Sequence, residues 1–363
     1  MRNVCLLLTN CDGFPWNVRM PAMDAFEASG YPFSEFRWLS VREIGEISNV
    51  VADCKNTADN LTVLVHGLPI ASVKASVLSG FDCEETPNSV GGEGVFTVGE
   101  KSLFLMDSKD SVFAKEVCIP FLHKKYGVRI GDIVLRCVGV DEYRMQEILQ
   151  KGENYARGRV KIVRSNRYGE DVIRIFYDEN TPRMLTDDLL RYFTDSLRDN
   201  LYAMDDTPLE QQLVELLRLR RRKIAVAESF TGGGVGRRIV SVSGASDVYY
   251  EGVNTYAKEA KIRRLGVAEF TLRSQGAVSE QTAYEMAAGL LEQRNCEVSI
   301  ATTGLAGPNG DGTGAPVGTC CIAIGIDESV YVHKHVLSGS REEVTETAIN
   351  YALFFACKAL KNM

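Results

Sequence analysis

The stretch Lys223-Ile224-Ala225-Val226-Ala227-Glu228-Ser229-Phe230-Thr231-Gly232-Gly233-Gly234-Val235-Gly236-Arg237 decides how the chain folds. Ile224 and Val226 alternate as the inward residues of a short strand do. Four glycines then fall between residues 232 and 236, and Val235, Ile239 and Val240 continue with helical spacing. A strand that runs through glycines into a helix leaves several backbone N–H groups unpaired and pointing one way. Such a cradle suits an anion or a developing oxyanion, and Ser229 stands at the strand end beside it. The same residues also fit a tight turn whose glycines serve only close packing. The stretch by itself leaves both readings open.

Upstream, Thr207-Pro208-Leu209-Glu210 has the chemistry of a helix start: Thr207 as N-cap, proline at the first helical position and Glu210 at the third. Leu209, Leu213, Leu216 and Leu217 form its apolar face, and the cations from Arg218 to Lys223 close it favourably against the helix dipole. Downstream, the pattern predicts strands over 248–256, 298–302, 318–326 and 330–337, and helices over 258–265 and 280–293. A last helix opens on a capping box of Ser340 and Glu343, with Val344, Ala348, Tyr351, Phe355 and Ala359 as its core stripe. The segment from Thr303 to Gly314 is too rich in glycine for regular structure.

Two glycine-rich segments therefore each follow an apolar strand, and in an α/β sheet both gather at one edge and line one pocket. Between them, residues 254–261 pass from a strand end into a helix, so that Tyr256 and Lys261 can face that pocket. A serine needs a base to act as nucleophile. The histidines of this region, His333 and His335, share one face of a late strand with no cysteine or carboxylate beside them, so a metal site is not expected there. A lysine made neutral by burial or by a neighbouring cation is the better base. On spacing alone, an exposed helical lysine is the simpler account of Lys261.

The chain of 363 residues has room for two or three domains. At 45% hydrophobic and 25% charged it is an ordinary globular composition, and the net charge of −7 argues against a general nucleic-acid binder. No apolar run approaches the roughly 18 residues of a spanning helix. The N-terminal residues Met1–Leu8 stop too early for a signal sequence and suit a first strand. Ten cysteines without a C-x-x-C pair, several inside apolar runs, indicate a reduced, cytoplasmic protein without a cysteine zinc site.

Residues 1–127 alternate strands (Val4–Leu8, Leu61–Val65, Ser102–Met106) with helices (Pro21–Ala28, Asp110–His123), the pattern of a doubly wound sheet. His66 is a strand-end histidine. Residues 128–204 form a small α+β module with a strand over Ile133–Val140 and a short helix over Glu142–Gln150. A hairpin of Arg159–Arg164 with Asp171–Asp178 and a helix over Thr186–Asp199 complete it. Its arginines and lysines make a solvated strand face, since neither a G-x-x-G loop nor an aromatic RNA-binding pattern accompanies them.

The motifs Ala227-Glu228-Ser229-Phe230-Thr231-Gly232-Gly233, Thr255-Tyr256, Glu259-Ala260-Lys261 and Leu265-Gly266-Val267 resemble the C-terminal domain of the CinA (competence/damage-inducible) family. So do Gly276-Ala277-Val278-Ser279-Glu280, Thr303-Gly304-Leu305-Ala306-Gly307-Pro308 and Pro316-Val317-Gly318-Thr319. The resemblance implies a nicotinamide-nucleotide amidohydrolase. Such an enzyme converts nicotinamide mononucleotide to nicotinate mononucleotide and ammonia, with no metal or organic cofactor. It implies Ser229 as nucleophile, Lys261 as general base and Tyr256 as an assisting and orienting residue. Thr231, Gly232, Gly233, Thr303, Gly304 and Gly307 would bind substrate or oxyanion, with Arg341 as a phosphate contact. A homodimer is the expected assembly, with a pyridine mononucleotide as the small-molecule partner and neither membrane nor nucleic acid. One residue departs from the family, which usually has cysteine at the position of Phe230.

More faintly, the first domain is similar to molybdopterin-binding domains and the middle module to the family's KH-like domain. The implied architecture is α/β, with three parts: a doubly wound molybdopterin-binding-like domain over 1–127, a KH-like α+β module over 128–204, and a CinA-type amidohydrolase domain over 205–363. The first-domain site is degenerate. Val65-His66-Gly67-Leu68-Pro69-Ile70-Ala71 and Leu105-Met106-Asp107-Ser108-Lys109 stand where the family has its glycine-rich phosphate segments and acidic pair. A silent first domain is therefore expected. Two other functions compete: a non-enzymatic interaction protein in competence or the DNA-damage response, and an ADP-ribose pyrophosphatase acting through the first domain. The missing carboxylates for a divalent metal weigh against the second.

Overall fold

The computed structural model describes residues 1–11, 20–41, 44–84, 94–127, 130–310, 312 and 314–362. They pack as two compact units, one of residues 1–132, 159–161 and 175–186, the other of residues 133–158, 162–174 and 187–363. Among the described residues the architecture is α/β with three sheets.

The first unit runs β1 (Asn3–Thr9), α1 (Pro21–Ala28), β2 (Glu35–Ser40), α2 (Ile44–Thr57), β3 (Asn60–His66), α3 (Ile70–Phe81), β4 (Val95–Val98) and β5 (Lys101–Asp107). Its sheet has the order β2-β1-β3-β5-β4. The first four strands are parallel and β4 is antiparallel at the edge. Period-two alternation sorts β1 between two layers. Val4, Leu6 and Leu8 pack with Ile47 and Val51 of α2 and with Val73 and Val77 of α3. Cys5 and Leu7 pack with Ala22 and Phe26 of α1 and with Ala114 and Ile119. Helices thus cover both faces, as in a doubly wound sheet.

Four elements of this unit, β2, α2, α3 and β4, lie outside the sequence expectations. The single helix expected over 110–123 is broken: α4 (Ser111–Phe113) gives way to a π turn (Ala114–Cys118) and then to α5 (Ile119–Tyr126). Pro120 explains the break, because it has no N–H to donate and its ring crowds the preceding turn. His66 is half-buried at the end of β3, with Nδ1 2.8 Å from Ser108 Oγ.

The third sheet comes from β6 (Ile130–Val138), α6 (Glu142–Ala156), β7 (Lys161–Arg167), β8 (Glu170–Asp178), α7 (Arg183–Leu197) and β9 (Leu201–Ala203), with the order β7-β8-β6-β9. Arg164 in this sheet is held by Glu142 at 2.7 Å and Asp171 at 2.7 Å. Helix α6 runs six residues beyond the expected end at Gln150, to Ala156.

In the second unit, α8 (Leu209–Arg220) leads to β10 (Ile224–Glu228) and α9 (Gly234–Val240). Then follow β11 (Tyr249–Asn254), α10 (Lys258–Leu265), α11 (Glu269–Ser274), α12 (Glu280–Glu292), β12 (Val298–Gly304), β13 (Thr319–Ile326), β14 (Ser329–Val336) and α13 (Arg341–Lys361). The sheet order is β11-β10-β12-β13-β14, with β11, β10 and β12 parallel and the last two antiparallel. Ile224, Val226, Val298 and Ile300 face α8, α9 and α13, whereas Ala225, Ala227 and Ala301 face α12.

One cap differs from expectation. The Thr207 N–H is taken by the Asp205 carboxylate at 2.9 Å, and α8 starts at Leu209 with Pro208 in the cap position and no side-chain cap. The capping box of Ser340 and Glu343 is formed in full. Val344 and Ala348 are buried, and Tyr351 and Phe355 stack on the two histidines of β14: His333 lies 3.8 Å from Phe355 and His335 4.8 Å from Tyr351, ring to ring. Burial lowers the pKa of both histidines. Among the described residues, no group of three or more His, Cys, Asp or Glu could hold a metal ion, and no helix is long and apolar enough to cross a membrane.

Candidate active site

Three parallel strands of the second unit end side by side. Glu228 is in register with Asn254 on one side and with Thr302 on the other. Two hydrogen bonds extend the ladder one step past the ends: Ser229 N–H donates to Thr302 O at 3.0 Å, and Thr255 N–H donates to Glu228 O at 2.8 Å. Ser229, Thr255 and Thr303 are thereby fixed next to one another at the carboxyl edge of the sheet, where α/β folds bind ligands.

Helix α10 then returns Lys261 over this edge. Its Nζ lies 2.9 Å from Ser229 Oγ, 2.5 Å from Thr255 O and 3.4 Å from Tyr256 O. The side chain is 1% exposed, among the most deeply buried long side chains of the protein. Burial disfavours the ammonium form and lowers the pKa from 10.5 to about 8. A neutral amine has two N–H donors and one lone pair. The two carbonyls can take the donors, which leaves the lone pair for the Ser229 hydroxyl. When protonated, the same nitrogen donates to all three oxygens, so the site accommodates both states without rearrangement.

A cavity of about 270 Å³ opens onto this pair. Ser229, Phe230, Tyr256, Lys258, Thr303 and Arg341 are among its lining residues. The Tyr256 ring is 70% exposed, and no hydrogen bond of its hydroxyl occurs among the described residues; its carbonyl, rather than its phenol, contacts Lys261. Thr303 Oγ1 donates to Ala277 O at 2.6 Å and so ties β12 to the segment before α12. Gly304 ends β12 on the cavity wall. Gly307, with φ +84°, takes a hydrogen bond at its carbonyl from Arg341 Nη1 at 2.7 Å, while no partner of the other guanidinium nitrogens occurs among the described residues. Asp311 and Thr313 of the same glycine-rich segment lie outside the described residues.

The glycine cradle is not empty. Glu228 is 2% exposed and its carboxylate accepts three backbone N–H groups, from Gly233 at 3.0 Å, Val235 at 3.0 Å and Gly236 at 2.8 Å. Gly232 N–H closes a turn onto Ser229 O at 3.1 Å, and the Thr231 hydroxyl is paired with that of Thr302 at 2.6 Å. The donors expected from Gly232 and Gly233 for an outside anion are therefore committed within the chain. The N–H groups of Phe230 and Thr231 make no hydrogen bond among the described residues. The glycines also serve close packing: a Cβ at Gly234 would lie 2.3 Å from Ile349 Cδ1, and one at Gly236 2.5 Å from the Tyr249 hydroxyl.

Of the expected site residues, the structure brings Ser229, Lys261, Tyr256, Gly304, Thr303 and Arg341 around one cavity. It commits the Thr231 hydroxyl to Thr302 and the Gly232 and Gly233 N–H groups to the turn itself. Sequence reasoning missed Lys258, a second cation at the cavity wall, and the Thr255 carbonyl that grips Lys261. It also missed the destination of Glu228; the available signal was a lone carboxylate directly before a run of glycine N–H groups.

Residues 206–360 match the family model described as the CinA C-terminal domain. A putative competence-damage inducible protein of Thermoanaerobacter pseudethanolicus is 33% identical over 242 residues, 66% of this chain and 58% of that protein. That alignment is longer than the family-model match, so the likeness extends outside it. A CinA-like protein of Chloroherpeton thalassium is 51% identical over 124 residues, 34% of this chain and 30% of that protein. The chain thus spans less than two thirds of the length of these relatives. Among solved structures, the competence or damage-inducible protein of Enterobacter asburiae is 34% identical and aligns over 42% of this chain and 96% of its own, with a TM-score of 0.41.

Proposed function

The chain belongs to the CinA family through its residues 206–360, and on that premise we propose that it hydrolyses the carboxamide of nicotinamide mononucleotide to nicotinate mononucleotide and ammonia. The observation that carries this reading is the 2.9 Å contact between the buried Lys261 amine and Ser229 Oγ at the cavity. Neutral Lys261 takes the hydroxyl proton as Ser229 Oγ attacks the amide carbon. The tetrahedral intermediate collapses, Lys261 returns the proton to the departing nitrogen, and ammonia leaves. Water, deprotonated by the same lysine, then attacks the acyl-serine, releases nicotinate mononucleotide and regenerates Ser229.

The amide oxygen gains charge in both steps. The N–H of the residue after a nucleophile on a strand-to-helix turn is a usual donor to such an oxyanion. Phe230 has that position and Thr231 follows it, and among the described residues neither N–H has a hydrogen-bond partner. With the cradle filled by Glu228, the substrate phosphate is left to the cations of the cavity wall, Arg341 and Lys258. The test is to incubate purified protein with nicotinamide mononucleotide and follow ammonia, alongside Ser229→Ala. No release by the wild type overturns the reading. Equal release by the variant overturns the mechanism and leaves an interaction role, in keeping with the names of the relatives, as the surviving account.

A further inference from the structure

Glu228 directly precedes the proposed nucleophile, yet it does not line the cavity and contributes nothing to the chemistry above. A carboxylate that is 2% exposed requires compensation, and here three backbone N–H groups at the first turn of α9 supply it. Glycine lets the turn present these donors: a Cβ at Gly236 would meet the Tyr249 hydroxyl at 2.5 Å, and Gly233 holds φ +99°, a conformation that side chains avoid. The three bonds close short loops that span residues 228–236 and bracket Ser229, Phe230 and Thr231.

Resting on the amidase reading, we propose that Glu228 is the positioning residue of the nucleophile. Its carboxylate clamps the turn from both ends and so fixes Ser229 Oγ against Lys261 and the Phe230 and Thr231 N–H groups against the developing oxyanion. Neither group is held by Glu228 directly; both ride on the backbone it ties. Glutamine has nearly the same shape, but only one of its two terminal atoms accepts, so Glu228→Gln leaves at least one of the three N–H groups facing another donor. A displacement of the turn by a fraction of an ångström loosens transition-state contacts more than substrate binding.

The experiment compares wild type, Glu228→Gln and Glu228→Asp by ammonia release from nicotinamide mononucleotide and by the rate at which a fluorophosphonate probe labels Ser229. The probe needs an activated Ser229 but no particular substrate, so wild-type labelling without ammonia release condemns the substrate assignment alone. The expected result for Glu228→Gln is kcat about 100-fold lower, KM within threefold, labelling slowed in parallel and an unchanged midpoint of the pH profile. Glu228→Asp keeps the charge but falls one methylene short, and lies between the two. The proposal is overturned by a Glu228→Gln enzyme with kcat and labelling within threefold of wild type, or by a loss confined to KM. A variant that fails to fold by circular dichroism also overturns it, because the carboxylate would then belong to the fold as a whole.

Discussion

The Phe230 ring occupies the place that a side chain at residue 304 would need: a Cβ built on Gly304 meets Phe230 Cε1 at 2.8 Å and Cδ1 at 3.0 Å. Phe230 and the last residue of β12 are thus fitted to each other across the cavity wall. Gly304→Ala should cost about 1–3 kcal/mol through overpacking. In a Phe230→Ala background the same change should cost less than half as much. A double-mutant cycle by urea denaturation measures the coupling, and additive effects would show that the two residues are independent.

Activity should follow the protonation of Lys261. Its pKa is lowered to about 8 by burial, and the base works only when neutral. The rate should therefore climb about tenfold per pH unit below the midpoint near 8 and level off above it, with about a tenth of the maximum at pH 7. A profile that is flat from pH 6 to 9 would remove lysine as the base.

Stability should show the same group with the sign fixed by linkage. The folded pKa lies below the unfolded value of 10.5, so between about 8 and 10.5 the unfolded chain holds more protons, and wild-type stability rises with pH across that window. Below pH 8 the cost of burying the ammonium is present in full. Lys261→Met carries no such group. Its melting temperature, relative to wild type, should be highest near pH 7 and should fall as pH is raised to 9.5, while its ammonia release is lost. Thermal melts at three pH values decide it, and a constant difference would contradict the assigned burial.

Arg341 is predicted to serve the phosphate rather than the amide. Arg341→Met should raise KM for nicotinamide mononucleotide about 10-fold or more, as the loss of a charge-assisted pair does. It should change the turnover of nicotinamide riboside, which lacks the phosphate, by less than threefold. Equal losses on both compounds would assign Arg341 to holding the Gly307 carbonyl instead.

The sheet of the second unit was legible because its strands carry strict patterns. Ile224 and Val226 alternate with Ala225 and Ala227, and the structure sends the two pairs to opposite layers. The convergence of the strand after Lys223 and the strand before Thr303 at one edge was legible for the same reason. Other features depend on contacts distant in sequence. Lys261 sits among Glu259, Arg263 and Arg264 on a helix of charged residues, so no periodicity marks it as buried; the Thr255 carbonyl and Ser229, 32 residues away, do. The Thr207 capping box failed because the Asp205 carboxylate, two residues earlier, takes the Thr207 N–H that the Glu210 side chain would accept in such a box. Helices α2 and α3 went unread because their apolar stripes mix with serine, asparagine and lysine and are defined only by the sheet beneath them.

The carboxylate at the start of α9 also settles how the site responds to its surroundings. A bound phosphate comes and goes with its concentration, and salt screens it on the way in. An anion covalently built into the chain has a fixed effective concentration and, when buried, is scarcely screened. The turn that carries Ser229 is therefore assembled before any substrate arrives and keeps its shape across ionic strength. Binding energy from the ligand need not be spent on ordering it. On the proposed reading, competing anions act at Arg341 and Lys258 of the cavity wall and leave the turn that carries Ser229 undisturbed.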